Sequence, residues 1–428
     1  MHSFQYQNGR LRCEDVDLET LANQHGTPLY VYSSATILDH YRRLDRAMAE
    51  LDHQICYAVK ANSNLAVLNL LAKEGCSFDI VSGGELFRVL KAGGAASKCT
   101  FAGVGKTTEE IEQGLREGIH SFNVESEAEL LRINEVAQRL NLRAPVAIRV
   151  NPNVEAGTHK YISTGKSDNK FGIGIDRIRD VYAAAAKLPH LHLRGVQMHI
   201  GSQITKSAPF ANAVTKMLPL VADLKRDHGI EFFSIGGGLG IVYHDSIGAG
   251  QEAWWKQEES PAITIEEYAQ SVVPLLKNLG VKILFEPGRL IVGNAGVLLT
   301  RVHYVKQAES KKFVIVDAGM NDLIRPALYQ GFHEVVPVRK AEDVITERID
   351  LVGPVCESGD FFAQDRDVSP LTQDAVVALM SAGAYGFAMA SNYNSRPRPA
   401  EILVTRDKAS VVRRRETWDE LIAGETTD

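Results

Sequence analysis

One lysine stands where a predicted strand ends, and its position suits covalent chemistry. In "ICYAVKAN" (residues 55–62), Ile55, Tyr57 and Val59 alternate with small or polar residues, as in a β-strand, and Lys60 follows. A lysine at this place is either an ordinary surface residue or an amine that forms a Schiff base with a carbonyl compound. The stretch by itself fits both interpretations, so the choice between them depends on the other reactive groups of the chain.

A glycine run and a carboxylate supply further groups for one site. "GGGLG" (residues 236–240) lets backbone N–H groups approach an anion, although a plain turn has the same composition. It is neither a Walker loop nor a dinucleotide fingerprint, so a cofactor with a single phosphate suits it better than a nucleotide. Glu286 follows another apolar run, where it suits an ion pair with Arg289, a role as an acid, or both. A lysine, an anion site and an acid for a pyridinium nitrogen are what pyridoxal phosphate requires.

Eight β-like runs alternate with amphipathic, helix-like stretches. The runs are "ICYAVKAN", "SFDIVS", "CTFAG", "SFNVES", "VAIRVNP", "LRGVQMHIGSQ", "FFSIGGGLG" and "KILFEPGR". Eight β/α units over residues 35–290 predict a (β/α)8 barrel of the TIM type, with a doubly wound open sheet as the alternative. In a barrel the carboxyl ends of the strands meet at one mouth. The side chains expected there are Lys60, His199, Ser202, Glu286 and Arg289, although His199 by itself also suits a hydrogen-bonded core histidine.

A second, mainly β domain is predicted after the barrel. "AGVLLTRVHYVKQAESKKFVIVDAGMND" contains two alternating apolar runs around a charged turn, and "DAVVALMSAGAYG" and "PAEILVT" continue the β character. The N-terminal "PLYVYS" fits with these runs. The predicted second domain is therefore discontinuous, residues 1–34 with 291–428, and the barrel is inserted into it.

The overall composition narrows the class of protein. The 428 residues are 45% hydrophobic and 23% charged, which is typical of a globular chain long enough for two domains. A net charge of −6 without a basic tract argues against a nucleic-acid partner. Neither a signal peptide nor a run long enough to cross a membrane is expected. Five scattered cysteines without C-x-x-C spacing argue for the cytoplasm and against a metal site.

The sequence resembles the diaminopimelate decarboxylase family over nearly its full length. The matching motifs are "YAVKAN", "STGKSDNKFGIGI", "HIGSQ", "GGGLGI", "EPGR", "MNDLIRPALY", "CESGD" and "AYGFAMASNYNSRPRPAE". The fold of that family is shared with alanine racemase and with one group of ornithine and arginine decarboxylases. The resemblance implies pyridoxal 5'-phosphate as cofactor and decarboxylation of meso-2,6-diaminopimelate at its D centre to L-lysine and CO2, the last step of lysine biosynthesis.

The resemblance also implies roles for individual residues. Lys60 would carry the cofactor, His199 would stack on its ring, and Glu286 would meet the pyridine nitrogen. A homodimer is implied in which Cys356 and Glu357 come from the partner chain, and Cys356 or a group near it would return a proton to carbon. By itself, Cys356 also suits the role of a buried small hydrophobe. The residues expected at the phosphate end are Ser202, Gly237, Gly238, Pro287, Gly288, Arg289 and Tyr385.

Charge distinguishes the related activities. A substrate that ends in an amine, such as ornithine, arginine or carboxynorspermidine, needs an acidic group at the far end of the pocket, whereas diaminopimelate presents a second carboxylate. Arg325 and Tyr329, with Arg289, supply partners for that carboxylate, and Glu357 suits the distal ammonium; Tyr385 is a further expected substrate contact. Related decarboxylases, a racemase and a non-catalytic protein of the same fold are the alternatives.

One polar segment is expected to cover the mouth. Residues 153–170, "NVEAGTHKYISTGKSDNK", are long and poor in apolar periodicity, which is typical of a loop that closes over a bound substrate.

Overall fold

The chain forms two compact units. The computed structural model describes residues 1–155, 170–256, 262–340 and 345–427. One unit comprises His40–Ile241 and Pro261–Leu290, and the other comprises Met1–Asp39, Val242–Ser260 and Ile291–Asp428. The sequence predicted that all of residues 35–290 form the barrel, whereas in the structure residues 35–39 and Val242–Ser260 belong to the other unit. Most of the predicted lid, residues 156–169, lies outside the described residues.

Eight parallel strands close into a barrel in the first unit, as the sequence predicted. The strands are β1 (His53–Ala58), β2 (Ser77–Ile80), β3 (Cys99–Phe101), β4 (Ser121–Val124), β5 (Ala144–Asn151), β6 (Leu191–Met198), β7 (Phe232–Ser234) and β8 (Lys282–Phe285). Each strand pairs with the next in parallel, and β8 pairs with β1 to close the ring. A two-residue strand, Ile173–Gly174, adds to β5.

Helices follow the barrel strands, and their ends carry the expected capping residues. Thr107 and Thr264 each form a capping box at a helix start, and Gly229 ends the longest helix in a left-handed conformation. Helix Ser34–Ala47 precedes β1. The helices after the strands are Leu65–Lys73, Gly83–Lys91, Thr108–Glu117, Glu127–Arg139, Ile178–Ala185, Ala208–His228, Ile265–Leu276 and the short Arg289–Val292.

The barrel interior changes from apolar to polar toward the carboxyl ends of its strands. Cys56, Ala147, Phe232 and Leu284 pack together in the core. Residues two positions apart in a strand face the same side, so the inward positions after Ala147, Phe232 and Leu284 are occupied by the polar side chains listed here: Arg149, Ser234 and Glu286. This polarity gradient creates a buried polar layer beneath the mouth.

The second unit is built mainly from β-strands. Phe4–Gln7, Arg10–Cys13 and Val16–Asp17 form a small antiparallel sheet. The larger sheet has the order Phe361–Val368, Glu347–Val352, Lys312–Val316, Gly296–Gln307, Leu29–Ser33, Ala400–Thr405, Lys408–Arg413, and Val335–Pro337 joins it through Val376–Leu379. The helices of this unit are Leu18–His25, Ser246–Ala249, Arg325–Tyr329 and Trp418–Leu421.

Strand Leu29–Ser33 is buried on both faces, which explains its unbroken apolar character. Leu29 and Val31 pack in one core cluster, whereas Tyr30 and Tyr32 pack in another. The strand pairs antiparallel with Gly296–Gln307 and parallel with Ala400–Thr405, as the sequence predicted for "PLYVYS".

Among the helices within the described residues, none has the length and apolarity needed to span a bilayer.

Candidate active site

Lys60 lies directly after β1 and pairs with a buried carboxylate. It occupies the 3-10 turn Val59–Ala61, and its Nζ is 2.8 Å from Oδ2 of Asp79, a residue of β2. The Asp79 side chain is 1% exposed and that of Lys60 is 42% exposed. The other Asp79 oxygen, Oδ1, is buried without a hydrogen bond to any part of the chain that the structure describes. Asp79 therefore holds the amine at the carboxyl end of the barrel. No motif in the sequence indicated a role for Asp79.

Glu286 follows β8 and accepts hydrogen bonds from three other strands. Ser234 Oγ donates to its Oε1 at 2.6 Å, Asn123 Nδ2 donates to Oε1 at 3.4 Å, and Gln197 Nε2 donates to Oε2 at 3.0 Å. Burial raises the pKa of Glu286, as does the nearby charge of Asp79. The three donors fix the orientation of a carboxyl group that is easily protonated.

His199 follows β6 and is fixed by the glycine loop. The backbone N–H of Gly237 donates to its Nδ1 at 3.2 Å, so the neutral ring carries its proton on Nε2. Burial lowers the pKa of His199 well below its usual value, and the charges of Arg149 and Lys60 lower it further. His199 therefore provides a neutral, oriented ring.

The glycine loop packs so closely on the strand ends that side chains would not fit. A Cβ on Gly237 would lie 2.1 Å from the backbone oxygen of Glu286, and one on Gly238 would lie 2.3 Å from that of Gly201. Gly238 also has a φ of +107°, which side chains of L-residues rarely adopt. Ser234 Oγ accepts from the N–H of Gly236 at 3.2 Å while it donates to Glu286, so the loop and the carboxyl group are held together.

The "EPGR" segment lies against the end of β1. Ala58 N–H donates to the oxygen of Pro287 at 2.9 Å, and a Cβ on Gly288 would contact Ala58 and Ala61 at 3.1 Å. Arg289 Nη2 donates to Ser202 Oγ at 3.2 Å. The structure thus brings the predicted barrel residues to the carboxyl end of one barrel.

A buried arginine at the end of β5 is a second residue that the sequence analysis missed. Arg149 Nη1 pairs with Glu125 Oε1 at 2.8 Å, and its guanidinium lies 4.8 Å from the centre of the Phe171 ring. Its Nη2 is buried without a hydrogen-bond partner among the described residues. A single arginine inside an apolar strand gave no local signal of its role.

The other predicted site residues belong to the β unit. Arg325 is 7% exposed, and its Nη1 lies 2.7 Å from His333 Nε2; Tyr329 is on the same short helix. Cys356 is exposed, and Glu357 accepts a hydrogen bond from the hydroxyl of Tyr393. Tyr385 has a φ of +56°.

The barrel residues fit the pyridoxal phosphate that the sequence implies. Lys60 offers a primary amine, Glu286 an acid and His199 a neutral ring, and the glycine loop offers backbone N–H groups. Asp79 Oδ1, Arg149 Nη2 and Gln197 Oε1 are buried polar atoms that have no hydrogen-bond partner within the described ranges, as is expected where a polar ligand binds. In those same ranges, His, Cys, Asp and Glu side chains form no group of three or more that could hold a metal ion.

Sequence comparison relates this chain to pyridoxal enzymes. Residues 34–293 match the family model for the pyridoxal binding domain of pyridoxal-dependent decarboxylases. The chain is 51% identical to a diaminopimelate decarboxylase of Pseudomonas aeruginosa, over 100% of this chain and 99% of that protein. It is 49% identical to a diaminopimelate decarboxylase of Vibrio cholerae, over 100% and 99% of the two chains.

Solved structures agree with the sequence comparison. The diaminopimelate decarboxylase of Helicobacter pylori complexed with L-lysine is 40% identical, with a TM-score of 0.88 over 95% of this chain and 98% of that one. The diaminopimelate decarboxylase of M. jannaschii in complex with L-lysine is 36% identical, with a TM-score of 0.91 over 100% and 98% of the chains.

Proposed function

Because the chain belongs to the diaminopimelate decarboxylase family of pyridoxal-dependent decarboxylases, we propose that it converts meso-2,6-diaminopimelate to L-lysine and CO2. Cleavage occurs at the D centre, and the reaction is the last step of lysine biosynthesis. The observation that carries this proposal is that Lys60, His199 and Glu286 follow β1, β6 and β8 at the same end of the barrel, in a chain that matches these enzymes over its full length.

The cofactor is held by residues at the strand ends. Lys60 is its covalent attachment point, His199 lies against its ring, and Glu286 meets its ring nitrogen. When bound, pyridoxal 5'-phosphate supplies an electron sink for the electron pair that remains after CO2 departs. The residues proposed for its phosphate end are Ser202, Gly237, Gly238, Pro287, Gly288, Arg289 and Tyr385.

Proton movements follow from the contacts of Lys60 and Glu286. The amine of Lys60 must lose a proton before it acts as a nucleophile. Asp79 Oδ2 lies 2.8 Å from Nζ and is within reach to accept that proton. The raised pKa of Glu286 allows its carboxyl group to share a proton with a basic ring nitrogen, and its three side-chain donors keep it from turning away.

His199 excludes water from one side of the reacting groups. Burial lowers the pKa of His199 and so favours the uncharged ring, and the hydrogen bond from the Gly237 N–H to Nδ1 fixes the ring plane. An uncharged flat ring packs against an aromatic ligand without competing for its protons.

Substrate choice depends on Arg325. Its guanidinium binds the distal carboxylate of diaminopimelate, Tyr329 adds a hydrogen bond, and Arg289 contributes positive charge. Glu357 takes the distal ammonium, and Tyr385 is a further substrate contact. An acid in the place of Arg325 would suit the amine-ended substrates of related decarboxylases, so the arginine favours diaminopimelate.

The active enzyme is proposed to be a cytoplasmic homodimer. Cys356 and Glu357 of the partner subunit complete each site, and Cys356 or a group near it returns the proton to carbon. The exposure of Cys356 in the single chain supports the dimer, because a residue that completes a second subunit's site must lie at the surface. The absence of a disulfide among the five cysteines, all of which the structure describes, supports a reducing compartment.

The decisive experiment identifies the lysine that carries the cofactor and measures decarboxylation of several substrates. Borohydride reduction of the purified holoenzyme followed by peptide mapping is expected to yield a pyridoxyl group on Lys60, and Lys60→Ala is expected to lose the visible absorbance band. Release of CO2 is then measured with diaminopimelate, ornithine, arginine and carboxynorspermidine. A pyridoxyl group on another lysine would refute the attachment site, and faster release from an amine-ended substrate would refute the proposed substrate.

A further inference from the structure

A buried histidine is the hydrogen-bond partner of Arg325. The side chain of His333 is 0% exposed, and its Nε2 lies 2.7 Å from Arg325 Nη1. A guanidinium has only donors, so His333 Nε2 must be the acceptor in this contact. The ring proton is then on Nδ1, which lies 2.8 Å from the backbone oxygen of Met380 and donates to it. Both ring nitrogens are satisfied only by the neutral Nδ1–H tautomer.

Local backbone geometry brings His333 back to Arg325. Helix Arg325–Tyr329 ends at Gln330, which adopts a left-handed φ of +53°, and the N–H of Gly331 donates to the oxygen of Arg325 at 3.2 Å. The chain thereby reverses direction. The Met380 N–H donates to the oxygen of Glu334 at 2.9 Å, which anchors the residue after His333 to the residue that follows strand Val376–Leu379.

Tyr243 is a second partner of the guanidinium. The Arg325 guanidinium lies 4.8 Å from the centre of the Tyr243 ring, and the same ring meets His333 edge-on at 5.5 Å and 84°. Stacking on an aromatic ring and a hydrogen bond to an imidazole hold a guanidinium without neutralising its charge. A carboxylate partner in place of His333 would cancel the charge that a substrate anion needs.

We propose that His333 is a positioning residue for substrate recognition: through a neutral imidazole it orients the guanidinium of Arg325 toward the distal carboxylate of diaminopimelate. This inference rests on the proposed function. It predicts that loss of the Nε2 acceptor weakens binding of diaminopimelate and has little influence on the chemical step, because His333 itself does not touch the reacting atoms.

Two amide variants form a matched pair for the test. Gln places its oxygen near the position of Nε2, whereas Asn reaches only the position of Nδ1. His333→Asn is therefore expected to raise the KM for diaminopimelate at least about tenfold, with kcat changed less than about threefold, and His333→Gln is expected to restore most of the affinity. The double variant Arg325→Gln/His333→Asn is expected to be no worse than Arg325→Gln, because a residue that acts through Arg325 has no effect without it.

Measurements on the unmodified holoenzyme keep the proposal testable if a variant fails to fold. With 15N-labelled histidine, the ring nitrogens of His333 should show a protonated Nδ1 and an unprotonated Nε2 at neutral pH. A protonated Nε2, an equal KM in the Asn and Gln variants, or additive effects in the double variant would each overturn the proposal. Failure of the wild-type holoenzyme to decarboxylate diaminopimelate would instead overturn the proposed function, while the tautomer measurement would still report on the Arg325 contact.

Discussion

The carboxylate of Asp79 and the amine of Lys60 form an ion pair of 2.8 Å whose acidic member is buried and whose basic member is half exposed. Such an arrangement keeps the amine in one place and offers an acceptor for its proton. Asp79→Asn preserves the shape of the side chain and removes this acceptor. We expect attachment of pyridoxal phosphate to the apoenzyme to slow by at least about tenfold, equivalent to about 1.4 kcal/mol in the barrier.

The rate of attachment is measured by the growth of the visible absorbance band after mixing. Glu112→Gln serves as the control, because this exposed carboxylate pairs only with the neighbouring helix residue Arg116 among its described ion pairs. Equal rates for Asp79→Asn and the control would show that Asp79 has a purely structural role.

Removal of the charge on Glu286 should separate cofactor binding from turnover. Glu286→Gln keeps the shape of the side chain but cannot favour a protonated ring nitrogen. We expect the cofactor to be retained and kcat to fall by about 10² or more, a loss of at least about 2.7 kcal/mol in transition-state stabilisation. The measurement is steady-state turnover together with cofactor content. Unchanged turnover would mean that the carboxyl group only organises its neighbours.

Arg325→Ala tests recognition of the distal carboxylate. A charge-assisted hydrogen bond contributes roughly 1.5–3 kcal/mol when water is excluded, so kcat/KM for diaminopimelate should fall at least about tenfold. The visible spectrum of the bound cofactor should be unchanged. L-Lysine lacks the distal carboxylate, so its inhibition constant should change far less. Equal losses for diaminopimelate and lysine would show that Arg325 supports the pocket without contacting the substrate.

Gly237→Ala should disturb the site through the backbone. Its Cβ would lie 2.1 Å from the backbone oxygen of Glu286, so the glycine loop or the "EPGR" segment must move. Overpacking of this kind costs about 1–3 kcal/mol, and we expect a lower Tm and weaker retention of the cofactor. Gly105→Ala is the matched control, because a Cβ there has no heavy atom of the described structure within 4 Å. Similar behaviour of the two variants would contradict the close-packing argument.

His120 should contribute to the acid sensitivity of the fold. Burial lowers its pKa from 6.5 to about 4, with a further contribution from the charge of Arg194, so below pH 6.5 the unfolded chain binds a proton that the folded chain does not. Stability is therefore lost as the pH falls from 6.5 toward 4. Between pH 7 and pH 5, protonation of His120 in the unfolded chain lowers the free energy of unfolding by about 2 kcal/mol.

His120→Gln removes the titrating group and is expected to reduce the loss of stability between pH 7 and pH 5. Thermal unfolding of both proteins at the two pH values measures the difference. A wild-type protein and variant that lose equal stability on acidification would exclude His120 as a source of the effect.

The sequence predicted the positions of those candidate site residues that lie at the ends of strands inside compact motifs. Lys60, His199 and Glu286 each follow an apolar run, so the barrel topology predicted where they lie. Asp79 and Arg149 were missed because a single polar residue within an apolar strand has no local signature. Whether Asp79 and Arg149 reach the site depends on whether their side chains point into the barrel and on which side chains they meet there. Both are decided by contacts between residues far apart in the sequence.

The sequence also did not predict that Val242–Ser260 belongs to the β unit, because this too depends on contacts between residues far apart in the chain. Its membership is decided by contacts with residues far away in the chain, such as the hydrogen bond from Asn294 Nδ2 to the oxygen of Val242 at 2.9 Å. His333 also escaped the sequence analysis, because its relation to Arg325 needs the chain reversal at Gln330.

The pairing of strand Leu29–Ser33 has a consequence for synthesis of the chain on the ribosome. Its partners, Gly296–Gln307 and Ala400–Thr405, are translated long after it. At a translation rate of about 5–20 residues per second, at least about ten seconds pass before the first partner strand is synthesised. The eight barrel strands are complete only shortly before that, once Phe285 has been added. During that interval both faces of the strand are apolar and exposed, and its backbone N–H and C=O groups are not paired with another strand. Such a strand tends to associate with other nascent chains. A message truncated just after the barrel should therefore yield a fragment that aggregates.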